Sequence, residues 1–395
     1  MAPAVSFLLG MMTLCVFFLA PATARSYNVS DYGAMPDGRT DAANPFLNAW
    51  AAACSSTEPA AIYVPAGRFL ISQATFKGPC KNNATRIFVD GTLVAPSTYC
   101  AVPNWLLFMA VRGLSIFGGT IDGQGQAFWA CRKAGRRCPQ GAMSLTVAKS
   151  KKVLISGLTS LNSELFHIAI FGSSSIQIQG ATISAPAHSP NTDGIHIQKS
   201  SDVTVIDTSI ETGDDCISIG EGTTNVWIEK VSCGPGHGIS IGSLGGTPSE
   251  AGVQNITVTW VAFSGTENGL RIKTWGKPYA GYVKGVNFAH ATMDNVQFPI
   301  VVDQNYCPYN SSGIKISQVA YTDIQGSSAT EVALKFDCSA SNPCSEIMMH
   351  NINLTYQNNQ ALTYCKNAHG ITSGVMKPPG CIEYEISVLG HGSGL

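Results

Sequence analysis

One apolar–polar phrase returns along most of the chain: VLISGLTS at 153, IQIQGATI at 176, VTVIDTSI at 203, VWIEKVSC at 226, ITVTWVAF at 256, VNFAHATM at 286, IKISQVAY at 314 and IMMHNINL at 347. Each alternates apolar with polar or small residues, the period of a strand that buries one face. The starts are 23, 27, 23, 30, 30, 28 and 33 residues apart. A second phrase follows the first: HIAIF at 167, GIHIQ at 194, CISIG at 216, GISIG at 238, GLRIK at 269 and PIVVD at 299. Gly, Asn and Ser turns separate the phrases, and no helical stretch lies between them to form the crossovers of an α/β fold. The spacing also exceeds the roughly 8–12 residues of a hairpin repeat, which counts against an antiparallel sandwich. Stacked coils remain, so the pattern predicts an all-β, single-stranded parallel β-helix.

Such a solenoid needs a cap, because its end coil would expose strand edges and core side chains. Asn44 followed by Pro45 reads as an N-cap and first helical residue, with Phe46, Leu47, Trp50 and Cys54 at helical spacing. We expect a short N-terminal helix there, closing the first coil. Only 12% of residues are charged while glycines number 40, which suits many tight turns and not a helical protein. One cooperative solenoid makes residues 25–395 a single domain despite their number.

Residues 1–24 read as an export leader: an apolar run from Val5 to Leu19, then Ala22, Thr23 and Ala24 as a small-x-small cleavage pattern. Of the 13 cysteines, Cys15 would leave with that leader, and the even dozen left suits a disulfide-bonded, exported protein. Sequons at Asn28, Asn83, Asn255, Asn310 and Asn353 fit the same route. We therefore expect a secreted, extracellular or cell-wall monomer, with neither a membrane span nor a nucleic-acid partner. The formal charge is -1, so an anionic partner would have to meet local cationic clusters.

Aligning the second phrases puts Asp193, Asp215 and His237 at one position, 22 residues apart, each just before a Gly or Cys. Coils about 4.8 Å apart would stack them as a ladder, with Asp214 beside the middle rung. Like charges so close should raise at least one carboxyl and keep it protonated. A protonated and an ionised carboxyl are the pair that glycoside hydrolysis uses. The other reading is an Asp turn ladder that satisfies backbone N–H groups between coils. Strict alternation would turn these residues inward, so the ladder requires that Gly194, Cys216 and Gly238 mark bends. Further on, Leu270 and Ile272 match the inward Ile217 and Ile219, which leaves Arg271 and Lys273 on the outer face with Ser218, Gly220, Ser240 and Gly242. Small residues on two coils and two cations on the next describe a groove for a sugar carboxylate, or else two solvated surface charges. Arg132, Lys133, Arg136 and Arg137, between Cys131 and Cys138, could likewise face a polyanion or only solvent.

With these residues in place, the chain resembles the plant polygalacturonases among the pectin-cleaving glycoside hydrolases of family twenty-eight. Four motifs carry the resemblance in order: Asn191-Thr192-Asp193, Gly213-Asp214-Asp215, Gly236-His237-Gly238 and Arg271-Ile272-Lys273. An IDGQG run stands at 121–125, with Trp129 after it. The resemblance spans essentially the whole chain after the leader. It implies a right-handed β-helix that hydrolyses galacturonate linkages with inversion and without a metal or other cofactor. Asp214 looks like the general acid, Asp193 and Asp215 activate water, and His237 holds or tunes the acid. Arg271 and Lys273 bind the substrate carboxylate, and Tyr306 and Asn191 complete the binding residues. It also implies the disulfides Cys216–Cys233, Cys338–Cys344 and Cys365–Cys381. The ladder itself puts Asp193 only one rung from Asp215, nearer than the ~6.5–9.5 Å of inverting pairs, so inversion comes from the resemblance alone. Other readings are an exo-acting or rhamnogalacturonan-cleaving relative, a calcium-dependent pectate lyase, and a non-catalytic wall-binding β-helix.

Overall fold

The computed structural model describes residues 25–98, 102–307 and 311–382. The expected leader, Cys100 and the sequon at Asn310 lie outside the described residues. The first phrases become neighbouring parallel strands in which Val153, Ile176, Val203, Val226 and Ile256 pair rung by rung. The column continues through Val286, Val319 and Ile347, and every member is buried. That register corrects one phase. Val286 pairs with Val319, not with Ile314, so the last two intervals are 33 and 28 and not 28 and 33. Ile316 pairs with Val283, one rung ahead of the column, so Ile314 and Ile316 mimic the start of the phrase that begins at Val319 after Gln318, whose left-handed φ of 57° repeats that of Asn225 and Asn255 at the same place in their coils.

The second phrases build the other wall. Ile195, Ile217, Ile239, Leu270, Ile300 and Leu334 stack on one inward rung, and Ile197, Ile219, Ile241, Ile272, Val302 and Phe336 on the next. All twelve are sealed from solvent, each stabilising the coil by about 1.5–3 kcal/mol. The walls are an 11-stranded and an 18-stranded sheet. The larger sheet folds around a corner, since Arg112–Asp122 pairs with both Lys151–Ser156 and Thr159–Leu161. At that corner Gly157, Gly180 and Asp207 hold left-handed φ values of 69°, 60° and 50°, a conformation open to Gly and tolerated by Asp.

The capping helix α1 spans Ala43–Ser55 and buries Phe46, Ala49, Trp50 and Ala53. Trp50 meets Phe76 and Phe108 edge-on, and its indole N–H donates to the Lys77 carbonyl at 2.9 Å. Asn44 is not its cap. The helix begins at Ala43, whose N–H donates to the Asp41 carboxylate at 3.0 Å, and the same carboxylate takes the N–H and hydroxyl of Ser72. A residue that ties the helix to the next coil thus does the capping. A second helix, α2, spans Gln126–Lys133 and carries Cys131 and the first two of the four cations that precede Cys138. Among the described residues five disulfides are formed: Cys54–Cys80, Cys131–Cys138, Cys216–Cys233, Cys338–Cys344 and Cys365–Cys381. Cys307 is unpaired.

Candidate active site

The backbone ladder runs through the polar column. His167 N–H donates to the Asp193 carbonyl, Gly194 N–H to that of Asp215, and Cys216 N–H to that of Gly238, at 2.8–2.9 Å. The strands begin at Ile195, Ile217 and Ile239, so Asp193, Asp215 and His237 stand ahead of the alternation and escape the interior. Gly194 makes the bend possible: a Cβ there would meet Ile210 Cγ2 at 2.5 Å and the Cys216 carbonyl at 2.6 Å.

These bends turn the carboxylates into a groove of about 400 Å³, walled also by Asn191, His196, Lys273 and Tyr306. Asp215, only 2% exposed, is the fixed point. Its Oδ1 accepts from Arg271 Nη2 at 2.8 Å and from the Ser240 hydroxyl at 2.7 Å, and its Oδ2 accepts from Lys273 Nζ at 2.8 Å. This corrects the picture of two open cations. Arg271 and Lys273 lie on the groove face but are themselves 7% exposed, because a buried carboxylate needs paired charge. Lys273 still walls the groove, with its ammonium 5.3 Å from the half-exposed Tyr306 ring. Arg271 does not wall it; it braces Asp215 and donates Nε–H to Ser240 at 2.9 Å.

Asp214 is more open. Its Oδ1 accepts from the Asp215 N–H at 2.8 Å and is 3.1 Å from His237 Nδ1, while Oδ2 has no hydrogen bond among the described residues. His237 thus pairs with Asp214 and not with Asp215, and its Nε2 is 3.5 Å from Glu267. Asp193 is buried, and its Oδ2 accepts from the Ser218 hydroxyl at 2.6 Å. Having given that proton, Ser218 can accept from His196 Nδ1 at 2.8 Å. Asn191 is exposed at the groove rim with φ 54°.

Proton affinities follow from these contacts. Burial, then the charges of Asp215 and Asp214, lift Asp193 well above the carboxylate range. Burial would lift Asp214 too, but the hydrogen bond and charge of His237 outweigh it and hold Asp214 low. The same hydrogen bond to Asp214 raises His237 against its burial. Sequence reasoning expects one raised carboxyl; it is Asp193, not the residue matched to the acid. These contacts favour the proton on Asp193 and on His237 over Asp214.

Donor atoms of Asp214, Asp215 and His237 lie within 4.8 Å of one another, close enough to surround a cation. Lys273 and Arg271 already supply positive charge to both oxygens of Asp215, so the donor set fits a divalent ion poorly.

His196 and Glu267 are not singled out in sequence, and Ser218 is only as a small residue of the groove face. His196 could have been, since it shares a column with Ser218, Ser240 and Arg271 on the groove face. It stacks on Phe166 at 4.6 Å, and burial pushes its imidazole down to about 4.

Residues 54–376 match the family model described as glycosyl hydrolases family 28. The chain is 52% identical over 387 residues to a polygalacturonase of Prunus persica, covering 95% of this chain and 98% of that one. It is 41% identical over 365 residues to an exopolygalacturonase of Platanus acerifolia, covering 89% and 96%. Among solved structures it resembles a polygalacturonase from Erwinia carotovora, with a TM-score of 0.69, 26% identity and coverage of 89% and 98%.

Proposed function

We infer that this chain, which belongs to family 28 of the glycosyl hydrolases, is an enzyme that hydrolyses the galacturonosyl linkages of pectin. The observation that carries the reading is the convergence of Asp193, Asp214 and Asp215 with Lys273 in one groove. Lys273 and the Tyr306 ring receive a sugar and its carboxylate, and Asn191 closes the rim.

The roles follow from what each oxygen is free to do. Asp214 Oδ2 is the unengaged oxygen of the most open carboxyl, so Asp214 protonates the glycosidic oxygen as its bond to the anomeric carbon breaks. A bound sugar strengthens the burial that favours neutral Asp214, so Oδ2 takes up a proton from the groove water as the site closes around the substrate, while His237, donating Nδ1–H to Oδ1, holds the carboxyl in place. Asp193 and Asp215 hold the water that attacks the anomeric carbon and take up its proton, with inversion. Asp215 is kept in position by Arg271, Ser240 and Lys273. Asp193 must first release its resting proton, so activity rises with pH through the Asp193 titration. It falls again as His237 deprotonates, giving a bell-shaped profile.

Elimination by a calcium-dependent lyase fits less well, because the two cations at Asp215 occupy the charge that would hold the ion. The apolar leader at 1–24 and five disulfides support secretion. The test is digestion of polygalacturonate with and without chelator. New reducing ends should appear in both, with no absorbance from unsaturated products. Proton NMR of the first product anomer should show inversion, and product sizing separates release of monomer from internal cutting. Unsaturated products lost in chelator would replace hydrolysis by elimination.

A further inference from the structure

The four cations of the Cys131–Cys138 segment divide into two pairs. Arg132 and Lys133 end α2, while Arg136 and Arg137 follow it. Only the first pair borders a second hollow of about 550 Å³, whose walls include Trp129 on the α2 side and Pro186, His188 and Pro190 opposite. Pro190 walls this hollow and its neighbour Asn191 walls the catalytic groove, so the two adjoin. The strand register gives their separation. α2 follows Asp122, which pairs with Leu161, then Ser184, then Glu211. The segments carrying Asp193 and Asp214 follow Ser184 and Glu211, two and three coils away, or about 10–15 Å.

The hollow is braced by a small core and bordered by cations. Phe128, Trp129 and Ala185 form a small core of their own with Leu165 and Cys138. The indole N–H of Trp129 donates to the Glu164 carbonyl at 3.3 Å, and the Cys131–Cys138 disulfide closes the end of α2. The Arg132 guanidinium lies 5.2 Å from the centre of the Phe128 ring. Neither Arg132 nor Lys133 forms an ion pair among the described residues. Two exposed cations without an ion-pair partner among the described residues, beside an apolar floor, match an acidic sugar, whose ring faces are apolar and whose carboxylate suits a guanidinium.

We propose that this hollow is a distal subsite that binds the carboxylate of a galacturonate unit remote from the bond being cut. It rests on the galacturonan-hydrolase reading above. Arg132 and Lys133 then set the preference for long chains and take no part in bond cleavage, because a unit held there reaches the groove only as part of a polymer.

The experiment compares kcat/KM on polygalacturonate and on trigalacturonate for the unsubstituted chain, R132Q/K133Q and R136Q/R137Q. R132Q/K133Q should lose on the order of tenfold on the polymer at low salt. The deficit should shrink as salt shortens the screening length to about 8 Å near 0.15 M. On trigalacturonate the pair should change little, and R136Q/R137Q should match the parent on both substrates. Equal loss on both substrates, no loss on the polymer, or the same loss from R136Q/R137Q would overturn the subsite. Turnover of polygalacturonate by the unsubstituted chain reports separately on hydrolysis, and its absence would remove the underlying reading as well.

Discussion

Replacing Ser218 by Ala removes one hydrogen bond from Asp193 and nothing else from the carboxylate trio. That bond, 2.6 Å from hydroxyl to Oδ2 and sealed from solvent, favours the charged form of a group that burial and two neighbouring carboxylates already push toward protonation. A hydrogen bond to a charged group contributes about 1.5–3 kcal/mol, and each pH unit corresponds to about 1.4 kcal/mol. Losing it should therefore move the Asp193 titration upward by about one to two pH units. The sign is fixed by the proposed role. Asp193 works deprotonated, so the acid limb of kcat/KM moves to higher pH while the alkaline limb stays. The assay is reducing-end release from polygalacturonate at substrate well below KM, from pH 3 to 8, since kcat/KM reports the free enzyme. Ser240→Ala is the control, because Ser240 donates to Asp215 and not to Asp193. A profile in which Ser218→Ala lowers kcat/KM evenly at every pH would refute Asp193 as the group behind the acid limb.

Other consequences concern separate contacts. Glu267→Gln takes away one charge that raises His237; the alkaline limb should come down by a few tenths of a pH unit, as about 0.2–1 kcal/mol for an exposed pair implies, and an unmoved limb would detach His237 from it. The double variant Cys216→Ala, Cys233→Ala opens a loop of 17 residues that begins beside Asp215. It should cost about 3 kcal/mol, seen as a lower midpoint in thermal or denaturant unfolding, whereas an unchanged midpoint would mean the closed loop contributes nothing. Tyr321 has a hydroxyl that is fully buried and without a hydrogen-bond partner among the described residues. Tyr321→Phe should raise stability by roughly 1 kcal/mol or more, and a destabilised variant would contradict that burial cost.

The walls of the solenoid are legible in sequence because their inward rungs are aliphatic and recur once per coil, as Ile217, Ile239 and Leu270 do. The slip between Ile314 and Val319 shows the limit. The strand there carries buried apolar residues at Ile314 and Ile316 ahead of the rung at Val319, so two phases of the same alternation read alike. Asn44 failed for a comparable reason: a good capping residue lies in the right place, but the neighbouring Asp41 reaches both the helix and Ser72. In the site, the motifs locate the carboxylates, since each precedes a bend. They do not locate the proton, because its position depends on which carboxylate the cations neutralise. Arg271 and Lys273 both turn to Asp215, which leaves Asp193 to rise and Asp214 to be governed by His237. His196 and Ser218 carry no motif at all and act only through a contact between adjacent coils.

Asp214→Asn puts the proton path to its sharpest test, since the amide keeps the shape and the backbone hydrogen bond but cannot deliver a proton from its free Oδ2 position. Turnover of polygalacturonate should fall by about 10²–10⁴-fold, with oligogalacturonate affinity, measured by titration calorimetry, nearly unchanged. A variant that cleaves polymer at the parent rate would show that the leaving oxygen takes its proton elsewhere in the groove.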